Sequence, residues 1–323
     1  MPTTLGCDWR FENEVMTSQL GSDWEDIQDQ KYPGYGRCIY CGSDGGVEGL
    51  REEHIIPYSL GGNTVIEAAS CRDCERRISP VDHHLGKTVF EEYRIHADVQ
   101  TRHPKDRPTS LPAQFTVNGQ PLTMDLPIKD HPFAMAMPVW GDAGFFRSAP
   151  IDEPFPETKV NLYNYMPPNM RDALGLTETD DFKVWSQGRV NGTLFARGIA
   201  KIAYCHMIIK YGLDGFNPLA LVDIILGRFS GVSYFVGTPL RIPSPPFAKG
   251  QRHAIQISDL DGGTSHEKLL GMGLKLHVVR IRLFADSACG QHGLPVYHVI
   301  GGVRRPQRIA RRPFLDTPKR IYL

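Results

Sequence analysis

The sequence lacks long apolar runs, an excess of either charge and a dense set of cysteines. No stretch of about 18 or more consecutive apolar residues occurs, so no membrane-spanning helix is predicted. The amino-terminal residues do not place an apolar run after a basic region, so no secretory signal peptide is predicted. The chain has seven cysteines in 323 residues, four of them in metal-binding spacing, which favours a reducing, cytoplasmic compartment over a disulfide framework.

Net charge gives no argument for binding nucleic acid, because 36 basic and 36 acidic side chains cancel. The distribution along the chain is uneven. Residues 1–30 hold seven acids against one arginine, and residues 304–323 hold seven bases against one aspartate. Two interpretations remain open: an acidic arm with a basic, phosphate-seeking tail, or two solvated chain ends.

Two Cys-x-x-Cys pairs form the most informative motif. Cys38 and Cys41 make the first pair, and Cys71 and Cys74 make the second. Four thiolates at this spacing favour a tetrahedral zinc ion. The surrounding segment has few large apolar side chains and therefore a thin core, so a bound ion would add folding energy. We predict a structural Zn²⁺ held by all four cysteines.

An acidic residue and a histidine, Glu53 and His54, stand together between the two pairs, ahead of a Gly61-Gly62 turn. A neutral imidazole can accept a proton near physiological pH, and a carboxylate suits a hard cation. Neighbouring side chains on a strand point to opposite faces, so the two share a pocket only if the strand kinks or ends there. A salt-bridge position in a hairpin is the simpler alternative, but the cysteine frame favours catalysis.

These motifs closely resemble the HNH endonuclease family, and within it the subgroup that joins Glu-His-Ile-Ile-Pro to two Cys-x-x-Cys pairs. The resemblance covers about residues 36–95. It implies a ββα-metal fold that hydrolyses phosphodiester bonds in nucleic acid, with DNA favoured, and a catalytic Mg²⁺ or Mn²⁺. It also implies that His54 is the general base and that Glu53 holds the catalytic cation.

Two positions depart from the family pattern. The family asparagine that orients the base falls here on Ile66, so we take Asn63 as its substitute; a backbone carbonyl could do the same, and Asn63 could be a simple turn residue. The position after the last cysteine, usually His or Asn, holds Glu75, whose carboxylate suits Mg²⁺. His83 is a rival ligand. The predicted catalytic residues are Glu53, His54, Asn63 and Glu75, and the predicted Mg²⁺ ligands are Glu53, Glu75 and His83.

Three arginines, Arg72, Arg76 and Arg77, lie on or near the helix that faces nucleic acid in this fold. They are predicted to contact phosphate, with a solvated helix face as the alternative. The departures above leave a second function open, a zinc-stapled nucleic-acid-binding module that has lost catalysis. A third possibility is an RNA-directed nuclease.

The predicted fold class is α+β, with a small zinc-stapled ββα-metal module and a larger carboxy-terminal α+β domain that contains an antiparallel sheet. The predicted segments are an acidic arm, the nuclease module, a Pro-rich linker with a hairpin, the α+β domain and a basic tail: residues 1–30, 31–98, 99–170, 171–303 and 304–323. Ser79-Pro80 reads as the start of a new helix over residues 80–97. Asn118-Gly119 predicts a hairpin turn, residues 189–211 a long helix, and residues 231–303 four antiparallel strands.

Overall fold

The computed structural model describes residues 24–26, 29–185, 190–238, 253–259, 275–284 and 294–304. Most of the predicted acidic arm, the basic tail beyond Arg304, and Cys7 and Cys289 lie outside the described residues. No helix among the described residues is long and apolar enough to cross a membrane. Helices and antiparallel sheets are both present, which confirms the predicted α+β class.

The described residues form the following strands and helices, in chain order. The strands are β1 (Glu25–Asp26), β2 (Lys31–Tyr32), β3 (Leu50–His54), β4 (Val65–Cys71), β5 (Ser110–Val117), β6 (Gln120–Pro127), β7 (Phe133–Val139), β8 (Lys159–Tyr165), β9 (Phe182–Trp185), β10 (Phe216–Asn217), β11 (Val236–Gly237), β12 (His253–Asp259), β13 (Lys275–Leu283) and β14 (Tyr297–Arg304). The helices are α1 (Arg72–His83), a π-helical segment (His84–Val89), α2 (Glu91–His96), α3 (Gly144–Arg147), α4 (Met170–Ala173), α5 (Gly192–Tyr211), α6 (Leu221–Ile225) and α7 (Val232–Phe235).

The first structural unit is a β-β-α arrangement. Strands β3 and β4 pair antiparallel, and β4 leads directly into α1. Their register shifts between Arg51 and Glu53, so that Glu53 faces Ile66 and His54 faces Val65. Such an irregularity re-aims the side chains that follow it. Because the shift lies just before Glu53 and His54, it changes the direction in which these two side chains point.

The predicted helix start at Ser79-Pro80 is wrong, because α1 runs through both residues. A proline inside a helix removes one backbone hydrogen bond and clashes with the preceding turn, which costs about 3 kcal/mol or more, so packing has to offset this cost. Ile78 and Val81 lie on either side and are buried, so core contacts continue across the proline. The π-helical segment then carries the chain into the interior.

The carboxy-terminal part is built on a six-stranded sheet with the order β1-β12-β13-β14-β10, in which β11 also pairs with β14. Strands β12, β13 and β14 form the predicted antiparallel meander. The predicted strand over residues 231–237 is mostly wrong, because residues 232–235 form the short helix α7. The predicted long helix is confirmed as α5, which ends before Gly212.

Local turn chemistry correctly predicts the hairpin of β5 and β6. Asn118 and Gly119 both have positive φ angles, 48° and 79°, as a type I′ turn requires. Pro121 lies on β6, which is an edge strand in the order β6-β5-β9, so its missing N–H breaks no interior ladder.

Helix α5 packs against the β-β-α unit through a single hydrophobic cluster that includes buried residues of both. The two parts approach closely at Gly198, where an added Cβ would lie 2.5 Å from Leu85 Cδ1 and 3.3 Å from Val81 Cγ1. The glycine therefore lets α5 lie directly on α1 and the π-helical segment. This contact brings polar side chains of α5 next to β3, the strand that ends in Glu53 and His54.

Candidate active site and metal centre

The four predicted cysteines come together at the junction of β4 and α1. Their sulfur atoms all lie within 4.8 Å of one another, and Cys41 Sγ is 3.6 Å from Cys71 Sγ. Zn–S bonds of about 2.3 Å would place tetrahedral sulfurs about 3.8 Å apart. The cluster can therefore bind a metal ion such as zinc. Among the described residues, it is the one such group of three or more His, Cys, Asp or Glu side chains.

Backbone hydrogen bonds position the first cysteine pair. Cys38 N donates to Ser43 O over 2.6 Å, and Gly42 N donates to Cys38 O over 2.9 Å, which closes a tight turn around the two thiols. A hydrogen bond with Cys74 lowers the pKa of Cys38 to about 4, and the same contact raises the pKa of Cys74. One thiolate therefore forms readily in the cluster, and thiolates are the form that binds metal.

His54 ends strand β3 with a fixed ring orientation. Its Nδ1 lies 3.0 Å from the carbonyl oxygen of Gly62. A carbonyl can only accept, so Nδ1 carries the proton and Nε2 carries the lone pair. Burial lowers the pKa of His54, and the positive charges of Lys201 and Arg102 lower it further against the raising effect of the Gly62 contact. The imidazole is therefore neutral and able to accept a proton at neutral pH.

An aromatic ring and a guanidinium lie beside this histidine. The Tyr58 and His54 ring centroids are 5.5 Å apart. Arg102 is exposed, and its Cζ lies 5.8 Å from the centroid of the Tyr58 ring, within the range of a cation–π contact. No sequence motif marks Arg102, because it lies in the predicted linker, where a basic residue carries no signal.

Gly62 is held too closely for any side chain. An added Cβ would lie 2.1 Å from Ile56 O, a backbone atom that cannot move aside without moving the chain. Gly62→Ala is therefore expected to shift the loop and its carbonyl away from His54. Misplacement of a catalytic group by about 1 Å can cost about 100-fold in rate. If His54 acts as a catalytic base, a loss of that order is expected in the reaction that it catalyses.

Gly119→Ala is the control for general backbone strain, because φ is +79° there but nothing lies within 4 Å of an added Cβ. Its hairpin is in another sheet. Parental cleavage by a folded Gly62→Ala protein would contradict the orienting role of the Gly62 carbonyl.

Glu53 points away from solvent and into the contact with α5. It is 6% exposed, and its Oε1 lies 2.7 Å from the Nζ of Lys201. The same Nζ lies 2.9 and 2.8 Å from the two carboxylate oxygens of Asp82 on α1. Glu53 is thus enclosed in a buried polar cluster while His54 is half-exposed at the strand end.

The residues present do not fit a divalent cation at Glu53. Mg²⁺ requires about six oxygen ligands at about 2.0–2.1 Å. Here, an ammonium group with three donors already faces three carboxylate oxygens at hydrogen-bond distances. No sequence motif marks Lys201 or Asp82, because neither spacing nor motif connects α5 or the end of α1 with Glu53.

The other predicted Mg²⁺ ligands are engaged elsewhere or face solvent. Glu75 accepts a hydrogen bond from Arg51 over 2.9 Å, and His83 is exposed on α1. Asn63 donates to Asp29 over 3.0 Å, so the contact that holds the His54 ring is the one with Gly62. These side chains are not part of one cluster with Glu53.

The predicted phosphate-binding arginines lie exposed on α1. Arg72 pairs with Glu48, and Arg76 lies 3.0 Å from Asp73 one turn earlier. Arg77 is exposed as well, and its backbone carbonyl accepts from Arg197. Exposed ion pairs of this kind contribute little to stability.

Residues 38–90 match the model of the HNH endonuclease family. The match includes both cysteine pairs, the Glu-His pair and the π-helical segment, and it confirms the resemblance inferred from the motifs. An HNH endonuclease segment indicates nuclease activity, metal binding and a nucleic-acid substrate. No curated protein and no solved structure shows significant similarity to the chain.

Proposed function

We propose that this protein is an endonuclease that hydrolyses phosphodiester bonds in DNA, with His54 as the general base. The observation that carries the proposal is the Nδ1 contact of His54 with Gly62, within a segment that matches the HNH endonuclease family. That contact leaves the Nε2 lone pair for the attacking water. Burial lowers the pKa of His54, which favours the neutral ring that this task requires.

The reaction needs one proton transfer and stabilisation of negative charge. His54 Nε2 takes a proton from water as the oxygen attacks phosphorus; the P–O3′ bond then breaks, and solvent protonates the 3′ oxygen. Arg102 is the exposed cation beside the His54–Tyr58 pair and is assigned to bind the phosphate. Arg72, Arg76 and Arg77 on α1 extend this surface along the nucleic-acid backbone.

We assign the cysteine cluster a structural role and Zn²⁺ as its ion. Cys38, Cys71 and Cys74 are buried, and four thiolates close a tetrahedral site with no open position for substrate. The bound ion would fix the start of α1 against β4, and through them the strand that ends in His54.

His54→Ala is expected to lower the rate of supercoiled-plasmid cleavage by about 100- to 10,000-fold, because a general base usually contributes a rate factor of this size. Zinc content and the thermal unfolding curve should match the parent, because the ring packs at the edge of the core rather than inside it. The same assay with a structured RNA tests whether the substrate is DNA. Equal cutting by parent and variant would contradict the assignment of the base.

A pH profile gives a second readout of the same residue. Activity requires neutral His54, and burial places its pKa below 6.5. The acidic limb of the parental rate profile should therefore have its midpoint below pH 6.5, and this limb should be absent from any residual activity of His54→Ala.

A second function is supported by the ion pair of Glu53 with Lys201, because it removes the carboxylate that the family resemblance assigns to a catalytic cation. In that case the protein is a zinc-stapled nucleic-acid-binding module without catalysis. This second function would be favoured if the protein binds DNA in a salt-sensitive manner. It also requires that the zinc-loaded protein does not cleave DNA, either in buffer alone or with added Mg²⁺ or Mn²⁺.

A further inference from the structure

The buried cluster of Glu53, Asp82 and Lys201 has the layout of a cation site whose cation is a side chain. Two carboxylates, one from β3 and one from α1, converge on a single point. That point is filled by Nζ of Lys201, which comes from α5, more than 100 residues away in sequence. The three N–H groups of an ammonium ion match the three carboxylate oxygens at 2.7, 2.8 and 2.9 Å.

The lysine is completely enclosed and keeps its charge. Lys201 is 0% exposed. Burial by itself would lower its pKa, but Asp82 and Glu53 together outweigh that effect and the pKa is raised. The side chain of Asp82 is 33% exposed, against 7% for Glu53 and 0% for Lys201, so of these three side chains Asp82 has the largest contact with solvent. An ion that replaced Nζ would therefore reach the cluster most directly past Asp82.

We propose that Lys201 is the resident cation of the Glu53–Asp82 site, so that the native protein binds no divalent cation there and removal of the ammonium creates a divalent-cation site. The inference concerns a site in the same segment as the proposed function, but it depends on ion binding and not on cleavage. Because Lys201 Nζ is buried, it cannot touch a phosphate. Lys201 is a positioning residue that fixes β3, α1 and α5 relative to one another.

A simpler account is that Lys201 only forms a buried salt bridge that joins α5 to β3 and α1. The two accounts differ in what happens when the ammonium is removed. A pure salt bridge leaves two carboxylates that repel each other and bind nothing. A cation site leaves two converging carboxylates with oxygen ligands and room for an ion with its waters.

The test is a Mn²⁺ titration of zinc-loaded protein without nucleic acid, followed by the electron paramagnetic resonance signal of free Mn²⁺. Zinc keeps the thiolate site filled, because Mn²⁺ binds soft ligands far more weakly. The parent should leave the free signal unchanged at micromolar protein. Lys201→Ala should bind Mn²⁺ at least about tenfold more tightly than the parent. The double variant Lys201→Ala with Glu53→Gln should lose that gain.

Lys210→Ala is the matched control, since Lys210 lies on the same helix but pairs with Glu25 at the surface, and it should gain no Mn²⁺ binding. A folded Lys201→Ala protein with no gain would overturn the proposal. If Lys201→Ala does not fold alone, recovery of the folded state on addition of Mn²⁺ supports the proposal, and failure to recover counts against it.

Mn²⁺ binding by the parent protein is an independent test of the proposal. Micromolar binding of one Mn²⁺ by the parent, abolished by Glu53→Gln, would overturn the proposal whatever the variants do. None of these measurements depends on cleavage. Absence of nuclease activity would therefore contradict the proposed function, while the Mn²⁺ titrations would still test this inference.

Discussion

Cys74→Ser is expected to unfold the segment from Cys38 to Phe90, because one missing thiolate opens the tetrahedral site. Structural zinc contributes about 10–16 kcal/mol of apparent binding energy in small zinc domains, whereas whole domains are stable by only about 5–15 kcal/mol. Loss of the ion therefore removes a share of stability comparable to the total. Zinc content measured by atomic emission, together with a thermal unfolding curve, checks the result.

Cys205→Ser provides a matched thiol control. Cys205 is also fully buried, but its sulfur faces the Tyr40 hydroxyl at 3.6 Å and lies outside the four-cysteine cluster. A serine hydroxyl can keep that contact, so zinc content should stay at the parental level. A Cys74→Ser protein with full zinc content and an unchanged unfolding curve would refute the structural role of the cluster.

Lys201→Met is expected to destabilise the protein by about 3–5 kcal/mol, which is typical when one partner of a buried ion pair is removed. The cause is Glu53, which would remain ionised or take up a proton in a site that is 6% exposed. Methionine has a similar volume, so packing around α5 changes little. Chemical denaturation monitored by circular dichroism gives the free energy of unfolding.

The double variant Lys201→Met with Glu53→Gln should recover most of this loss, because no uncompensated charge remains at that carboxyl position. Lys210→Met on the same helix should change stability by only about 0–1 kcal/mol, as exposed ion pairs do. Equal effects of Lys201→Met and Lys210→Met would show that the buried cluster does not stabilise the contact of α5 with residues 38–90.

Local chemistry in the sequence was sufficient to predict the metal site and several elements. The cysteine spacing predicted the cluster, and Asn118-Gly119 predicted the hairpin turn. These predictions succeed because metal ligation and turn geometry depend on a few neighbouring residues. The five-segment division of the chain stays a prediction, and one hydrophobic cluster crosses its boundary at residue 98.

The wrong predictions of secondary structure lie where tertiary packing overrides the local preference of the residues. Pro80 predicted a helix start, yet buried neighbours carry α1 through it. The apolar run of residues 231–237 predicted a strand, yet four of its residues form α7. The roles of Asn63, Glu75, His83 and the three arginines stay predictions, because their contacts do not by themselves decide a function.

The sequence alone determined that four thiols meet and that a histidine follows a carboxylate at the end of a strand. Only the tertiary structure decided what each of those two side chains faces. His54 meets the Gly62 carbonyl of its own loop, whereas Glu53 meets an ammonium group from α5. The reason is that a register shift and the close approach at Gly198 set these partners, and neither leaves a local signal in the residues around Glu53.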